Sequence, residues 1–225
     1  MRVLFSYSES QIEVNSVSLK ICSIDSQTKV DTIPLRLENG AWVGNTDIPS
    51  GKYVYKFIVN NELPLCDFKN NLFEWGPDKT LWSYLCIDEK GILLGTEKRH
   101  VKVSYYSLSA NAPQPSKYSP QDRISVSLSC ENVVGVHILT LAWYTPSGSL
   151  YEFSESAFCS DPHDMRKPIS TLFWVNYHPD MRKHPREPWS IKLFLDGQLL
   201  LTDKFSIAAM LSNIRENNKK ESFYA

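Results

Sequence analysis

The sequence is poor in glycine, with nine among 225 residues, and contains neither G-x-x-x-x-G-K-[ST] nor G-x-G-x-x-G. Phosphate-cradling loops of those two kinds are therefore excluded. No G-x-S-x-G surrounds any of the abundant serines, so a nucleophile elbow is absent as well. The five cysteines, Cys22, Cys66, Cys86, Cys130 and Cys159, are odd in number, widely spaced and free of any C-x-x-C pair, which argues against a disulfide framework or a zinc ribbon. No run reaches the ~18 consecutive apolar residues of a membrane span, so no membrane association is expected. Met1 to Tyr7 gives way to Ser8-Glu9-Ser10-Gln11 before a signal-peptide core accumulates. A reducing cytoplasm is the expected location. Charge of one sign is also lacking. Lys and Arg number 24 against 25 Asp and Glu, with 9 against 13 in residues 1–97 and 15 against 12 in residues 98–225. Neither half is charged enough to hold nucleic acid by counterion release.

What the sequence does have is apolar alternation at period two, as in Val17-Leu19-Ile21, Tyr53-Tyr55-Phe57-Val59, Ile124-Val126-Leu128 and Ile191-Leu193-Leu195. Turn chemistry separates these runs: Asn39-Gly40, Pro49-Ser50-Gly51, Asn60-Asn61, Pro146-Ser147-Gly148 and Asp196-Gly197. The spacing predicts an all-β protein with strands near 2–7, 12–21, 30–37, 41–48, 52–60 and 81–87, then near 100–106, 122–129, 136–144, 149–154, 170–176, 189–195 and 198–207. Two immunoglobulin-like β-sandwiches in tandem accommodate thirteen strands better than one large sheet. Charge and glycine between Asp88 and Arg99 place the boundary near residue 97, giving units at 1–97 and 98–225. The proline-rich stretch Ala110 to Pro120 is expected to run extended over the surface. Ile207, Met210, Leu211 and Ile214 fall at helical spacing, which predicts a short C-terminal helix.

Residues 33–60 carry a more specific pattern. It runs Ile33-Pro34-Leu35, Asn39-Gly40-Ala41-Trp42, Ile48-Pro49-Ser50-Gly51-Lys52-Tyr53 and Tyr55-Lys56-Phe57-Ile58-Val59-Asn60-Asn61, with Asp67 downstream. Over roughly residues 12–87 the chain resembles the glycogen-binding early-set modules of the AMP-activated protein kinase β-subunit and of branching and debranching enzymes. The resemblance implies a sandwich for the first unit and places Lys56 at a sugar site. The family's two sugar-stacking tryptophans have no counterpart here, since Ser23–Thr28 holds no aromatic residue and Leu63 occupies the second position. Trp75 and Trp82 are the aromatic candidates to replace them. The second half resembles no family by motif.

One near-repeat could carry chemistry: Asp161-Pro162-His163-Asp164-Met165-Arg166-Lys167-Pro168 and His178-Pro179-Asp180-Met181-Arg182-Lys183-His184-Pro185. His163, His178, Asp180, Arg182 and His184 are the candidates for acid, base or anion-binding roles. Ile169–Tyr177 reads as a strand between the copies, which separates them by ~25 Å at ~3.3 Å per residue and rules out one shared metal. No metal and no cofactor is expected. Cys159 reads as a small hydrophobe. The expected function is that of a non-enzymatic binding or adaptor protein, with a protein partner favoured over an α-glucan ligand. The alternative is an enzyme with a small-molecule site in the loops of the second sandwich or in the cleft between the two units.

Overall fold

The computed structural model describes residues 1–8, 12–25, 29–95, 101–111, 123–160, 167–176 and 186–208. The first half forms β1 (Arg2–Tyr7), β2 (Val17–Ser23), β3 (Val30–Pro34), β4 (Arg36–Glu38), β5 (Ala41–Asp47), β6 (Gly51–Val59), β7 (Leu63–Leu65), β8 (Phe73–Trp75), β9 (Leu81–Asp88) and β10 (Gly91–Leu93). The second forms β11 (Lys102–Asn111), β12 (Arg123–Glu131), β13 (Val136–Tyr144), β14 (Leu150–Cys159), β15 (Ile169–Asn176), β16 (Trp189–Leu195) and β17 (Gln198–Phe205). The protein is all-β. Among the described residues four sheets form, ordered β1-β5-β4, β10-β9-β6-β2-β3 with β7 on β6 and β8 on β9, β11-β12-β15, and β14-β13-β16-β17. Among the described residues, no strand before residue 96 pairs with one after residue 100. The boundary expected near residue 97 lies outside the described residues, as does the proline-rich stretch from residue 112; of the expected C-terminal helix only Ile207 and Ala208 are described, and they are helical.

Turn chemistry sets two of the hairpins. Asn39 and Gly40 take φ of 50° and 81° between β4 and β5, and Asp196 and Gly197 take 51° and 91° between β16 and β17. These are the positive-φ pairs a two-residue hairpin requires. The run expected as one strand at 30–37 divides at Pro34, where β3 leaves the larger sheet and β4 enters the smaller one. Between them Leu35 donates its N–H to the Val17 carbonyl at 2.9 Å and buries its side chain. One chain segment thus spans both layers of the first sandwich. The strand expected from residue 12 begins instead at Val17. The Asn60 side chain explains the delay, because its Oδ1 accepts the N–H groups of Asn15 and Ser16 and its amide donates to the Glu13 carbonyl, holding that segment as a loop.

Val3, Phe5 and Tyr7 of β1 meet Leu19, Tyr55, Phe57, Leu85 and Ile87 of the larger sheet to form the first core. The second core gathers Val126 and Leu128 of β12, Phe173 and Val175 of β15, Leu141 and Trp143 of β13, and Ile191 and Leu193 of β16. The sheet β14-β13-β16-β17 does not face solvent on its other side. Ala142, Phe194 and Leu199 point out of their own sandwich and join the first core cluster. As a result β13 is buried at seven consecutive positions, His137 to Trp143. The β16-β17 turn is fitted to the first half as tightly: a Cβ at Gly197 would overlap the Cys66 backbone, so glycine meets both a φ and a space requirement there.

Each fully buried large apolar side chain contributes about 1.5–3 kcal/mol. Expressed alone, residues 101–225 would expose Phe194, Leu199 and Ala142. That fragment is expected to bind a hydrophobic dye and to melt at lower temperature than the full chain. Dye fluorescence and thermal denaturation measure both, and a fragment as stable and dye-free as the full chain would show that the contact contributes nothing.

Candidate functional site

The resemblance to glycogen-binding modules places Lys56 at a sugar surface, and alternation puts it on the face of β6 turned away from the first core. The structure puts it on that face and then covers the face with the second half of the chain. The Lys56 side chain is 1% exposed, and Nζ donates to Glu155 Oε1 and Oε2 at 2.8 and 2.7 Å and to Thr80 Oγ1 at 3.0 Å. Those three bonds use all three ammonium donors. Glu155, on β14, is nearly as buried, with 12% of its side chain exposed. Burial pushes its carboxyl upward, while the Lys56 charge and hydrogen bonds from Lys56 and Thr140 pull the other way.

The surroundings of this pair are built by residues 76–82. Asp78 Oδ1 accepts the Thr80 N–H at 3.0 Å, the Thr80 hydroxyl at 2.8 Å and the Trp82 indole N–H at 2.9 Å. Burial raises the Asp78 carboxyl, but these bonds and the Lys56 charge together hold it below the ordinary carboxylate value. Trp82 is buried, with the Lys56 ammonium 6.0 Å from its ring centroid. Gly76 lets the ring lie against the backbone, since a Cβ there would overlap it. Trp75 is 59% exposed on the short edge strand β8. The structure therefore brings Lys56 and Trp82 together within a closed contact and leaves Trp75 outside it. Asp67, the downstream acid of the motif, accepts the Tyr55 phenol at 2.9 Å and the Lys69 N–H at 2.9 Å, tying a buried ring to the β7 turn.

His163, His178, Asp180, Arg182 and His184 lie outside the described residues. The histidine that the structure does place, His137, was not a sequence candidate. Its Nδ1 is 2.6 Å from Asp196 Oδ2 and its Nε2 is 3.2 Å from the Val134 carbonyl, while Asp196 Oδ1 accepts the Ile138 N–H at 2.8 Å. This arrangement fastens the β16-β17 turn to the start of β13. No group of three or more His, Cys, Asp or Glu side chains among the described residues is arranged to hold a metal ion.

An exposed apolar and aromatic face among the described residues lies on the sheet β11-β12-β15. Its outward face carries Tyr105, Leu172 and Trp174, at 54%, 55% and 47% exposure, around a row of serines on β12. Trp174 pairs with Ser125 and Leu172 with Ser127, and the Arg123 guanidinium sits 5.3 Å from the Trp174 ring centroid. Ser125 approaches Ser109 at 3.1 Å and Ser129 approaches Ser170 at 2.8 Å, so the hydroxyls link the three strands across this face.

No protein-family model matches the chain, and its sequence matches no curated protein. Solved structures that align with it include a maltogenic amylase from S. marinus, with 10% identity and a TM-score of 0.30 over 92% of this chain and 28% of that one. A putative β-galactosidase from Bacteroides fragilis aligns at 12% identity and a TM-score of 0.34, over 91% of this chain and 32% of that one. A DUF3823 family protein from Bacteroides ovatus aligns at 11% identity and a TM-score of 0.29, over 92% and 98%. The chain spans about a third or less of the first two. At these scores the alignments fix neither a family nor an activity.

Removing Lys56 alone strands a buried carboxylate. Lys56→Met is expected to destabilise the chain by about 3–5 kcal/mol, whereas Lys56→Met combined with Glu155→Met should recover most of that loss, because a buried pair replaced by apolar groups is often neutral. Urea denaturation of the two single variants and the double variant measures the cycle. A single variant within about 1 kcal/mol of the parent would show that the pair is not buried in solution.

Proposed function

We propose that the chain is a non-enzymatic binding protein that engages another protein by strand addition at the outer edge of β15. The observation that carries this reading is the character of that edge. β15 reads Ile-Ser-Thr-Leu-Phe-Trp-Val-Asn over Ile169–Asn176, with no charge, no proline and no glycine. One side pairs with β12 in unbroken register from Cys130↔Ile169 to Arg123↔Asn176, and among the described residues no strand pairs with the other side. Sheet proteins ordinarily blunt such edges with lysine, proline or a bulge, because a long flat edge is a template for any extended chain. β15 carries none of these. A partner strand would gain main-chain hydrogen bonds from the edge that no described strand pairs, and side-chain contacts from Leu172 and Trp174. An α-glucan held by Lys56 is not favoured, since every donor of that ammonium is already bonded within the chain.

Charged gatekeepers on the exposed face test this. Leu172→Lys with Trp174→Lys should leave stability within about 1 kcal/mol, as each site is roughly half exposed. Affinity capture from source cells with quantitative mass spectrometry is expected to recover a protein with the parent chain and lose it with the double variant. Amide hydrogen exchange should then show β15 protected in the purified complex. The same proteins recovered with both baits, or a complex that leaves β15 unprotected, would overturn the reading.

A further inference from the structure

A cleft of about 200 Å³ lies between the two halves of the chain, walled by Glu13, Glu62 and Leu63 from the first and by Tyr144, Leu150 and Lys192 from the second. The wall from the second half is one face of a sheet. Tyr144 ends β13 opposite Ser190 of β16, which sets Lys192 diagonally beside it on the same face, with its Nζ 4.5 Å from the tyrosine ring centroid. The wall from the first half is held by Asn60, whose side chain bonds the backbone of Glu13, Asn15 and Ser16 and so fixes the loop that bears one carboxylate; the other lies two residues beyond Asn60 itself. Both walls are preformed.

The charges in the cleft are mismatched with that rigidity. Lys192 is half-buried and makes no ion pair or hydrogen bond among the described residues, while burial lowers its pKa and the Glu13 charge opposes that shift. Glu13 and Glu62 make no ion pair among the described residues either. A collapsed interface would have joined one of these carboxylates to the ammonium. Instead a cavity separates Lys192, set on an aromatic floor, from two exposed carboxylates, and none of the three makes an ion pair among the described residues. A ligand that complements this arrangement carries an anionic group toward Lys192, a cationic group toward Glu13 and Glu62, and a hydrocarbon portion against Leu63, Leu150 and the Tyr144 ring. The volume sets its size. Pockets for drug-sized molecules run to about 300–1,000 Å³, so oligosaccharides and nucleotides are too large.

We propose that this cleft binds a small zwitterion of α-amino-acid size, with its carboxylate on the Lys192 ammonium and its own ammonium between Glu13 and Glu62. The site is separate from the β15 edge and shares no residue with it. Because the ligand touches both halves, its binding stabilises their contact and raises the melting temperature by mass action.

The test uses the full chain and the standard α-amino acids, each added singly at about 10 mM in a thermal-shift screen and followed by calorimetric titration of any that respond. At least one is expected to raise the melting temperature and to titrate at a single site. Lys192→Met should weaken that binding by roughly tenfold or more, as loss of a charge-assisted bond predicts, and Glu62→Gln should weaken it in the same direction. Butyrate and butylamine, which each carry one of the two charges, should bind at least roughly tenfold more weakly than the amino acid. Silence across the whole screen, equal binding by Lys192→Met, or equal binding by the singly charged analogues would each overturn the proposal. Should Lys192→Met fail to fold, the exposed Glu62→Gln variant decides the question in its place. The β15 gatekeeper variant should bind the amino acid as the parent does, so failure of one reading leaves the other standing.

Discussion

The structure depends on an ammonium and a carboxylate taken out of water together. Lys56 and Glu155 stand 99 residues apart in sequence, on sheets of different sandwiches, and their bonds at 2.7 and 2.8 Å are sheltered from solvent. Neither charge is tolerable there alone, because burying an unpaired ion costs several kcal/mol. The pair therefore admits one relative placement of the two sheets and penalises others. Thr80, Asp78 and Trp82 complete the arrangement: Thr80 accepts the third lysine donor, Asp78 orients Thr80 and the indole, and the indole shields the ammonium. A buried pair is weak evidence for net stability, since apolar groups of similar volume pack as well. Its contribution is geometric, selecting which faces meet.

Around that point the apolar packing is shared across the chain. Ala142, Phe194 and Leu199 belong by strand to the second sandwich and by contact to the first core. The sheet that contains them is covered on both faces, by its own core through Leu141, Trp143, Ile191 and Leu193 and by the first half through the outward residues. The His137–Asp196 contact and the fit of Gly197 against Cys66 fasten the same sheet at one hairpin. Two sandwiches linked only by a flexible connection would not need a turn glycine closed over by the other unit's backbone.

How much of this was readable from sequence depends on the range of the signal. Period-two alternation locates β6 because Tyr55, Phe57 and Val59 fill one core, and Asn-Gly and Asp-Gly locate two hairpins because their positive φ is a local demand. The three-residue strands β7, β8 and β10 escape, being too short to show a period. Burial of both faces of β13 is foreshadowed only by its near-continuous apolar run, Ile138-Leu139-Thr140-Leu141-Ala142-Trp143. Lys56 could be singled out by its motif, but its role could not, since that is set by a glutamate 99 residues away in a strand whose serines and glutamates look solvated. Lys192 and the cleft are less legible still. No local pattern relates Glu13, Glu62, Tyr144 and Lys192, and only tertiary packing brings them to one cavity.

The face of β6 that bears Lys56 has one consequence for function that follows from competition for a single surface. A ligand and a neighbouring sheet cannot both cover it, and here the sheet does, with three hydrogen bonds to the ammonium and an aromatic ring beside it. For a sugar to reach Lys56 the two halves would have to part, exposing Phe194 and Leu199 and separating two buried charges. Hydroxyl groups of a glucan offer one ordinary hydrogen bond each, about 0.5–1.5 kcal/mol net, against an ion pair and several buried apolar side chains. The internal contact wins by that comparison. The first sandwich then acts as the platform on which the second is oriented, and the surfaces that this packing leaves uncovered include the uncharged edge of β15 and the cleft lined by Glu13, Glu62 and Lys192.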